Sequence, residues 1–255
     1  METVNILWTG GLDSTCRIAE LSIHEIIIHP YYVLDPTRVS YKKELKAIKK
    51  ITAIIRDNPK TKCDLRDLSI ISMESIQDDK EITKAWETIH QKYSLGSQYD
   101  WLARFAKANN LVFEVGLENS PRSKAMKVIK EECQLAIDET NDQSSYMIVK
   151  KKSSRDAVLL FENLRFPSTL WKMSKLEEIE EMKQLGLEKI IMKTWFCHRP
   201  IFGMACGHCN PCKDALNEGL GFRVSWGGYL LGTIRQYTEI LKNVCLKVKK
   251  LLIVY

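Results

Sequence analysis

The sequence lacks any apolar run that is long enough to cross a membrane. A membrane helix needs roughly 20 consecutive apolar residues, and no stretch of the 255 residues approaches that length. The first residues, METVNILW, also lack the basic segment and the cleavage site of a secretory signal. We therefore expect a cytoplasmic protein with no membrane partner.

Two common nucleotide-binding signatures are absent as well. The chain contains no Gly-Lys-Ser or Gly-Lys-Thr, which a kinase-type P-loop needs to hold terminal phosphates. It contains no G-x-G-x-x-G either, so a dinucleotide-binding fold is disfavoured. Internal repeats are also missing, and a length of 255 residues suits one large domain or one domain with a small appendage.

Positive charge is modest, with a net value of +6. The basic residues are dispersed, apart from Lys150–Lys152 and the stretch LKVKK near the end. Short basic stretches of this kind are typical of a solvated surface. The charge suits a protein that handles nucleotides, but it does not call for nucleic acid, and we do not expect a nucleic-acid partner.

Short apolar segments alternate with amphipathic ones along the first half of the chain. NILW, EIIIHPYYVLD, LSIISM and LVFEVGL have the character of buried strands. Stripes at helical spacing lie between them, over Cys16–Leu21, Tyr41–Ile55 and Ile82–Asn110, the last with a break at Gly96. This alternation predicts an α/β fold with a doubly wound parallel sheet.

Candidate binding positions fall where these predicted strands end. Gly10–Gly11, Asp35 and Gly116–Asn119 each lie at or just after such an end. Ligands of doubly wound sheets gather at the carboxyl ends of the strands. The positions therefore predict a shared site, although Asp35 also suits an ordinary acid at a helix start.

The second half of the chain is less regular. Residues 119–163 are polar and weakly periodic, which indicates an insertion or a mobile segment. SKLEEIEEMKQLGL predicts a helix in which Ser174 and Glu177 form a capping box and Gly186 marks the end. Asn210-Pro211 predicts a further helix start. The final LLIVY suits either an edge strand or the interface of a homodimer.

The loop TGGLDST, Thr9 to Thr15, has the features of an anion site. Adjacent glycines expose backbone N–H groups and leave an approaching anion unobstructed. The following helix would direct its positive end at the same place, and Ser14 and Thr15 add hydroxyl donors. A tight strand-to-helix turn without a ligand is the alternative for a Gly-Gly pair.

Four of the eight cysteines are clustered as Cys197, Cys206, Cys209 and Cys212. Without a secretory signal, cysteines in this number do not indicate disulfides. Four thiolates can complete a closed, structural zinc site, with His198 and His208 as substitute ligands. An iron–sulfur cluster is the rival, because the last three cysteines share the C-x2-C-x2-C spacing of ferredoxins, but the next expected cysteine is absent.

The loop resembles the S-G-G-x-D-S loop of the PP-loop ATP pyrophosphatases, with Thr9 in place of the first Ser. Enzymes of that superfamily split ATP between its α- and β-phosphates, so the resemblance implies AMP and pyrophosphate as products. It implies an adenine nucleotide alpha hydrolase-like, Rossmann-like fold. It also implies that Mg²⁺ accompanies the bound ATP. The residues implied to bind ATP are Thr9, Gly10, Gly11, Leu12, Asp13, Ser14, Thr15, Asp35 and Gly116.

Loop and cysteine cluster together resemble the 7-cyano-7-deazaguanine synthase family. CGHCNPCKDALNEGL is similar to the family's zinc region, and Lys175, Ile179 and Thr194 occupy positions of its approach to the cluster. The resemblance implies an ATP-dependent C–N ligase with Ser14, Asp13 and Lys175 as catalytic residues. It predicts a nucleotide-binding domain over residues 1–165 and a small helical zinc-binding region over 166–255. Lys175 also suits a plain exposed position in a first helical turn.

The implied reaction activates a deazaguanine-type carboxylic acid with ATP and passes it to ammonia, giving an amide and then a nitrile. Three segments depart from the family pattern: LDPTRVS, SLGSQYDWLARFAKANN and LENSPRSKAMKVI. These are the regions expected to read the substrate. These departures are compatible with an alternative function, in which a diverged relative ligates the activated acid to another amine, such as one on a protein acceptor in bacterial defence. A tRNA-modifying PP-loop enzyme and a non-catalytic nucleotide-binding zinc protein are further alternatives.

Overall fold

The computed structural model describes residues 1–117, 122–138 and 145–253, with side chains described as far as Lys242. The chain forms two compact units. The first comprises residues 1–35 and 45–194, and the second comprises 36–44 and 195–255. The predicted division into domains 1–165 and 166–255 stays a prediction.

The first unit begins with the predicted alternation of strands and helices. Its elements up to residue 108 are β1 Thr3–Leu7, α1 Leu12–Ser22, β2 Ile27–Leu34, α2 Tyr41–Arg56, β3 Asp64–Leu65, β4 Ser69–Ser72, α3 Lys80–Tyr93 and α4 Gln98–Ala108. The break predicted at Gly96 separates α3 from α4. Helix α3 stops because Ser94 adopts a left-handed conformation, with φ of 56°.

The later part of the first unit is more regular than the sequence pattern predicts. It contains β5 Phe113–Glu114, α5 Lys124–Glu132, β6 Leu135–Asp138, β7 Ser145–Ile148, α6 Arg155–Phe161, β8 Leu164–Pro167, α7 Ser168–Lys172, α8 Lys175–Gln184 and α9 Glu188–Ile191. The described residues of 119–163 thus form helices and strands, with buried residues such as Val128 and Phe161. Residues 118–121 and 139–144, with Asn119 among them, lie outside the described part.

The strands of the described residues form one mostly parallel sheet in the order β3-β2-β1-β5-β8-β7-β6, and β4 also pairs with β2. The strand pairs β3–β2, β4–β2, β2–β1, β1–β5 and β5–β8 are all parallel. The β6–β7 and β7–β8 pairs are antiparallel. The predicted doubly wound sheet is confirmed, with an antiparallel edge added at β6 and β7.

The order of the strands creates a switch point at β1. The chain moves from β1 to β2 on one side, whereas β5 pairs with β1 on the other. The residues after β1 and after β5 therefore leave the sheet side by side, which opens a crevice where ligands of this fold bind. Ile6 and Ile28 are fully buried, as expected for central strands that are covered on both faces.

The second unit contains helices α10 Asn210–Asn217 and α11 Trp226–Ile253. Helix α10 begins where Asn210-Pro211 predicts, with Pro211 in its first turn. A two-residue turn at Phe202 and Gly203 joins Ile201 to Met204 in an antiparallel bridge. Within the described residues, every helix is too short or too polar to span a bilayer.

Candidate nucleotide loop and metal centre

The glycine loop joins the end of β1 to the start of α1. Gly10 has φ of 71°, a left-handed conformation that glycine adopts without strain. Gly11 is the N-cap of α1, and no side chain caps this helix end within the described part of the chain. The first-turn N–H groups of an α-helix have no intrahelical acceptor. They are directed, with the positive end of the helix dipole, toward the loop.

Gly116 brings the segment after β5 against this loop. A Cβ atom at Gly116 would lie 3.0 Å from the Ser14 backbone nitrogen and 3.2 Å from Asp13 Cβ. The absence of a side chain is therefore what allows the close approach. Gly116 thus lies against the start of α1, directly after the Gly10-Gly11 turn, at the switch point.

Lys175 extends from the first turn of α8 to the same loop. Its ammonium group donates hydrogen bonds to Asp13 Oδ1 and, at 3.3 Å, to Glu178 Oε1. The Lys175 side chain is only 10% exposed, so the alternative of an exposed surface lysine is wrong. The capping box of Ser174 and Glu177 is present and holds the start of α8 in place.

The remaining predicted loop residues differ in how accessible they are. Thr9 is half-buried, whereas Leu12, Ser14 and Thr15 are buried. The Thr15 hydroxyl accepts a hydrogen bond of 3.0 Å from Trp8 Nε1, so its side chain joins the end of β1 to α1. Asp35 follows β2 at the same edge of the sheet and is half-buried.

A buried charge network lies one turn behind the loop on α1. The guanidinium of Arg17 donates to both carboxylate oxygens of Glu114, at 2.7 and 2.8 Å, and to Glu20 at 3.2 Å. Glu20 also accepts from Thr169 at 2.9 Å. Burial opposes the charge of Arg17, but hydrogen bonds and the charges of Glu114 and Glu20 raise its pKa above the ordinary value.

Because Glu114 ends β5, this network ties α1 to the strand that precedes Gly116. Sequence reasoning missed it. The available signal was an acidic residue inside the apolar LVFEVGL and an arginine inside the apolar stripe of α1. Charged residues are almost never fully buried without a partner, so each of the two indicated a buried partner without identifying it.

The four clustered cysteines form a compact set of sulfur atoms in the second unit. All four Sγ atoms lie within 4.8 Å of one another. Three of the separations are 3.4 Å for Cys209–Cys212, 3.9 Å for Cys197–Cys209 and 4.0 Å for Cys206–Cys212. Tetrahedral zinc with Zn–S bonds of about 2.3 Å requires separations of about 3.8 Å. The donor set therefore fits a closed metal site such as zinc.

The local backbone supports thiolates at this site. The Cys206 N–H donates to Cys197 Sγ at 3.2 Å, and the Cys209 N–H donates to Cys206 Sγ at 3.4 Å. His208 is directed elsewhere, with its Nε2 at 2.9 Å from Thr233 Oγ1, and His198 is exposed. The four cysteines thus form a candidate metal-ligand set that includes no histidine.

The fold and the loop together define a nucleotide-binding α/β protein of the PP-loop type. The family model described as "Queuosine biosynthesis protein QueC" matches residues 3–220. The chain belongs to this family, whose members are the 7-cyano-7-deazaguanine synthases of the PP-loop superfamily. It is accordingly a QueC-like, ATP-utilising PP-loop enzyme. A search of curated proteins found no match.

Proposed function

We propose that this protein uses ATP to adenylate a deazaguanine-type carboxylic acid, releasing pyrophosphate, and then converts the acyl adenylate to an amide and a nitrile. The observation that carries the proposal is the convergence of Gly116 and Lys175 on Asp13, in the loop that follows β1. Family membership supports an ATP-dependent reaction of the PP-loop type. The cytoplasmic location expected from the sequence remains part of this proposal.

In the first step, a carboxylate oxygen of the acid attacks the α-phosphorus of ATP, and the bond to the β-phosphate bridging oxygen breaks. Pyrophosphate leaves with that bonding pair. Ammonia then attacks the acyl carbon, AMP leaves, and the nitrogen loses a proton to give the amide. A second ATP activates the amide oxygen in the same way, and loss of AMP together with both protons of the amide nitrogen gives the nitrile.

The loop residues would stabilise the charge that develops on pyrophosphate. N–H groups at the start of α1 and the Ser14 hydroxyl are donors that need little reorganisation. Lys175 would exchange its contact with Asp13 for a phosphate oxygen. The Asp13 carboxylate could then hold Mg²⁺, which would neutralise phosphate charge when bound. These roles explain why a lysine and a carboxylate are both needed beside the loop.

Zinc has a structural role in this proposal. A four-thiolate site has no open position for a substrate, so it supplies folding free energy rather than chemistry. A small cavity of about 60 Å³ beside Cys206 and Cys209 is lined by Arg199, Arg235 and Glu239, among others. Arg199 and Glu239 pair with each other there, and neither is assigned to the reaction.

A second candidate function is ligation of the activated acid to an amine other than ammonia, including an amine on a protein. The departures at LDPTRVS and LENSPRSKAMKVI favour it, since the substrate-reading regions differ while the glycine loop is retained. Arg104, a cation in the departing segment SLGSQYDWLARFAKANN, donates to Asp78 at 2.8 Å and to Asp100 at 3.0 Å and is therefore already paired. The acid would therefore need other partners.

Product analysis tests the proposal. The full chain is incubated with ATP, Mg²⁺, 7-carboxy-7-deazaguanine and ammonium, and the products are separated by mass spectrometry. We expect AMP, pyrophosphate and the amide or nitrile. AMP and pyrophosphate that form only when another amine or a protein acceptor is added would favour the second candidate. ADP as the product, or no turnover with any acid, would refute both.

A further inference from the structure

A carboxylate to which the proposed reaction assigns no role lies directly behind Lys175. Glu178 follows Lys175 by three positions on α8, and its side chain is 0% exposed. Its Oε1 accepts a hydrogen bond of 3.3 Å from Lys175 Nζ. Carboxylates are almost never fully buried unless they are paired, because removing the charge from water is costly. A buried carboxylate beside the lysine of the loop therefore indicates a function for the pair.

Glu178 has a fixed position relative to the glycine loop. Helix α8 packs against α1, the helix that begins at this loop. The Cys16 thiol of α1 donates to the backbone oxygen of Glu178 at 3.6 Å. The capping box of Ser174 and Glu177 holds the first turn of α8, and Ile179 is buried beside Glu178. The carboxylate therefore keeps its place while substrates bind at the loop.

The two carboxylates that contact Lys175 differ in how accessible they are. The side chain of Asp13 is 29% exposed, whereas that of Glu178 is 0% exposed. A phosphate oxygen or a cation can thus compete for Asp13 through water, but it has no such access to Glu178. Solvent also screens the attraction of a buried charge less than that of an exposed one. Asp13 is therefore an exchangeable partner of Lys175, and Glu178 is a permanent one.

We propose that Glu178 is a positioning residue, which keeps Lys175 charged and directed toward the glycine loop while Lys175 exchanges Asp13 for phosphate. This inference rests on the proposed function for the role of Lys175. A lysine side chain that is only 10% exposed has lost much of its hydration, which favours the neutral amine, and a neighbouring negative charge restores the ammonium form. The ammonium form is the one that stabilises charge developing on pyrophosphate.

Other charged groups surround this interface at a greater distance along the two helices. Arg17 donates to Glu114 and Glu20, so its charge is offset within that network. Glu181 of α8 is half-buried and acts on Cys16. Helix α9 packs on α8 and adds the exposed Glu188 and Lys189. Variants that leave all of these groups unchanged isolate the effect of Glu178.

Competitive acetylation of the ligand-free protein over a range of pH tests the pairing without turnover. Each lysine is acetylated as its ammonium group loses a proton, and peptide mass spectrometry gives the midpoint pH of Lys175 separately. An opposite charge within about 4–6 Å shifts such a midpoint by about 1–3 pH units. Glu178→Gln should therefore lower the midpoint of Lys175 by this amount.

Glu180→Gln is the matched control. Glu180 lies on the exposed side of the same helix and pairs with Lys183 at the surface, so this change should leave the midpoint of Lys175 where it is in the wild type. An unchanged midpoint in Glu178→Gln, or equal shifts in the two variants, would overturn the proposal. Melting temperatures show whether each variant is folded.

The pH dependence of kcat/KM for ATP gives a second readout, because it reports groups of the free enzyme. In Glu178→Gln the alkaline limb should move to lower pH by the same 1–3 units, and Glu178→Asp, which restores the charge, should recover most of the shift. A purely structural role for Glu178 would lower the melting temperature and leave the limb in place, and that result would contradict the positioning role.

The wild-type protein provides a measurement that needs no substitution. The acetylation midpoint of Lys175 should lie above that of the exposed Lys189, and a midpoint at or below it would overturn the proposal even if Glu178→Gln did not fold. The expected acetylation shift without turnover of any acid would refute the proposed reaction and still support the pairing. Product formation with an unchanged midpoint would refute this inference alone.

Discussion

At the residue scale, the site depends on charged side chains that the fold withdraws from water. Arg17 is fully buried, and Glu114 and Glu20 are almost so. Burial raises the pKa of Glu20, while the positive charge of Arg17 lowers it in part. Transfer of such groups from water is costly, so the network holds only while each member keeps its partner. The free-energy cost of burying these charges is offset by their mutual pairing. The pairing lies directly behind the glycine loop, where it fixes the orientation of α1.

Glu114→Gln should destabilise the protein. The substitution preserves shape but removes one of the two charges that compensate Arg17, and breaking a buried pair costs about 3–5 kcal/mol. The free energy of unfolding in urea measures it. Glu81→Gln is the control, because its pair with Arg155 is exposed and should change stability by less than about 1 kcal/mol. Equal effects of the two substitutions would contradict the network's importance.

Lys175→Met should lower kcat strongly while having a smaller effect on the free energy of unfolding. Removing one donor to a developing charge typically reduces kcat by about 10²–10³. The rate of pyrophosphate release measures the effect, and Lys175→Arg should recover part of it. Lys183→Met is the matched control on the same helix, where Lys183 pairs with Glu180 at the surface. A Lys175→Met enzyme with wild-type kcat would remove Lys175 from the proposed mechanism.

At the scale of elements, short polar contacts determine where helices begin. Asp79 is the N-cap of α3, and its Oδ1 accepts hydrogen bonds from the N–H groups of Glu81 and Ile82 at 3.0 and 3.1 Å. Its Oδ2 accepts from Lys107 of α4 at 2.7 Å. One carboxylate therefore joins two helices. The hydrogen bond from Lys107 and those from the backbone hold the pKa of Asp79 below its ordinary value of 3.8.

Asp79→Ala should therefore have a pH-dependent cost. A carboxylate whose pKa is lowered in the folded state adds stability above its ordinary pKa, and this stability is lost as the pH falls through the lowered value. We expect a loss of about 1 kcal/mol near neutral pH that shrinks as the pH falls below the ordinary pKa of 3.8 and through the lowered pKa of the folded state. Urea unfolding at several pH values measures it. Asp67→Ala, at a 95% exposed side chain, should show a much smaller effect.

At the scale of the whole molecule, the two compact units carry different chemistry. The first holds the glycine loop, Lys175 and the buried charge network, and the second holds the four cysteines. Metal binding by a thiolate site couples directly to folding, because the unfolded chain has no preformed site. The stability of the second unit should therefore depend on metal, whereas the loop is formed by backbone geometry.

Elemental analysis should find one zinc ion per chain, and Cys209→Ser should lose it. Cys63→Ser is the matched control, since Cys63 is a free thiol outside the cluster. Chelation of the wild-type protein should lower its melting temperature and leave Cys209→Ser unchanged. Iron in the purified protein, with visible absorption, would instead support the iron–sulfur alternative.

Much of the fold was predictable because hydrophobic periodicity reports which faces of each element are buried. The early strands, the break at Gly96, the capping box at Ser174 and the start of α10 at Pro211 all followed from local sequence. The elements within residues 119–163 did not. Their strands are only four residues long, and β6 is the edge strand with β7 beside it, so the alternation is weak. Strand β5, of two residues, was predicted longer than it is.

The sequence by itself determined the glycine loop, the cysteine set and the parallel α/β character, because each depends on residue type and short spacing. Only the tertiary structure decided that Lys175 reaches Asp13 across 162 positions, that Gly116 lies against Ser14, and that Glu114 compensates Arg17. These contacts depend on strand order and helix packing. Periodicity identifies a buried face, but it does not identify the partner on the other side.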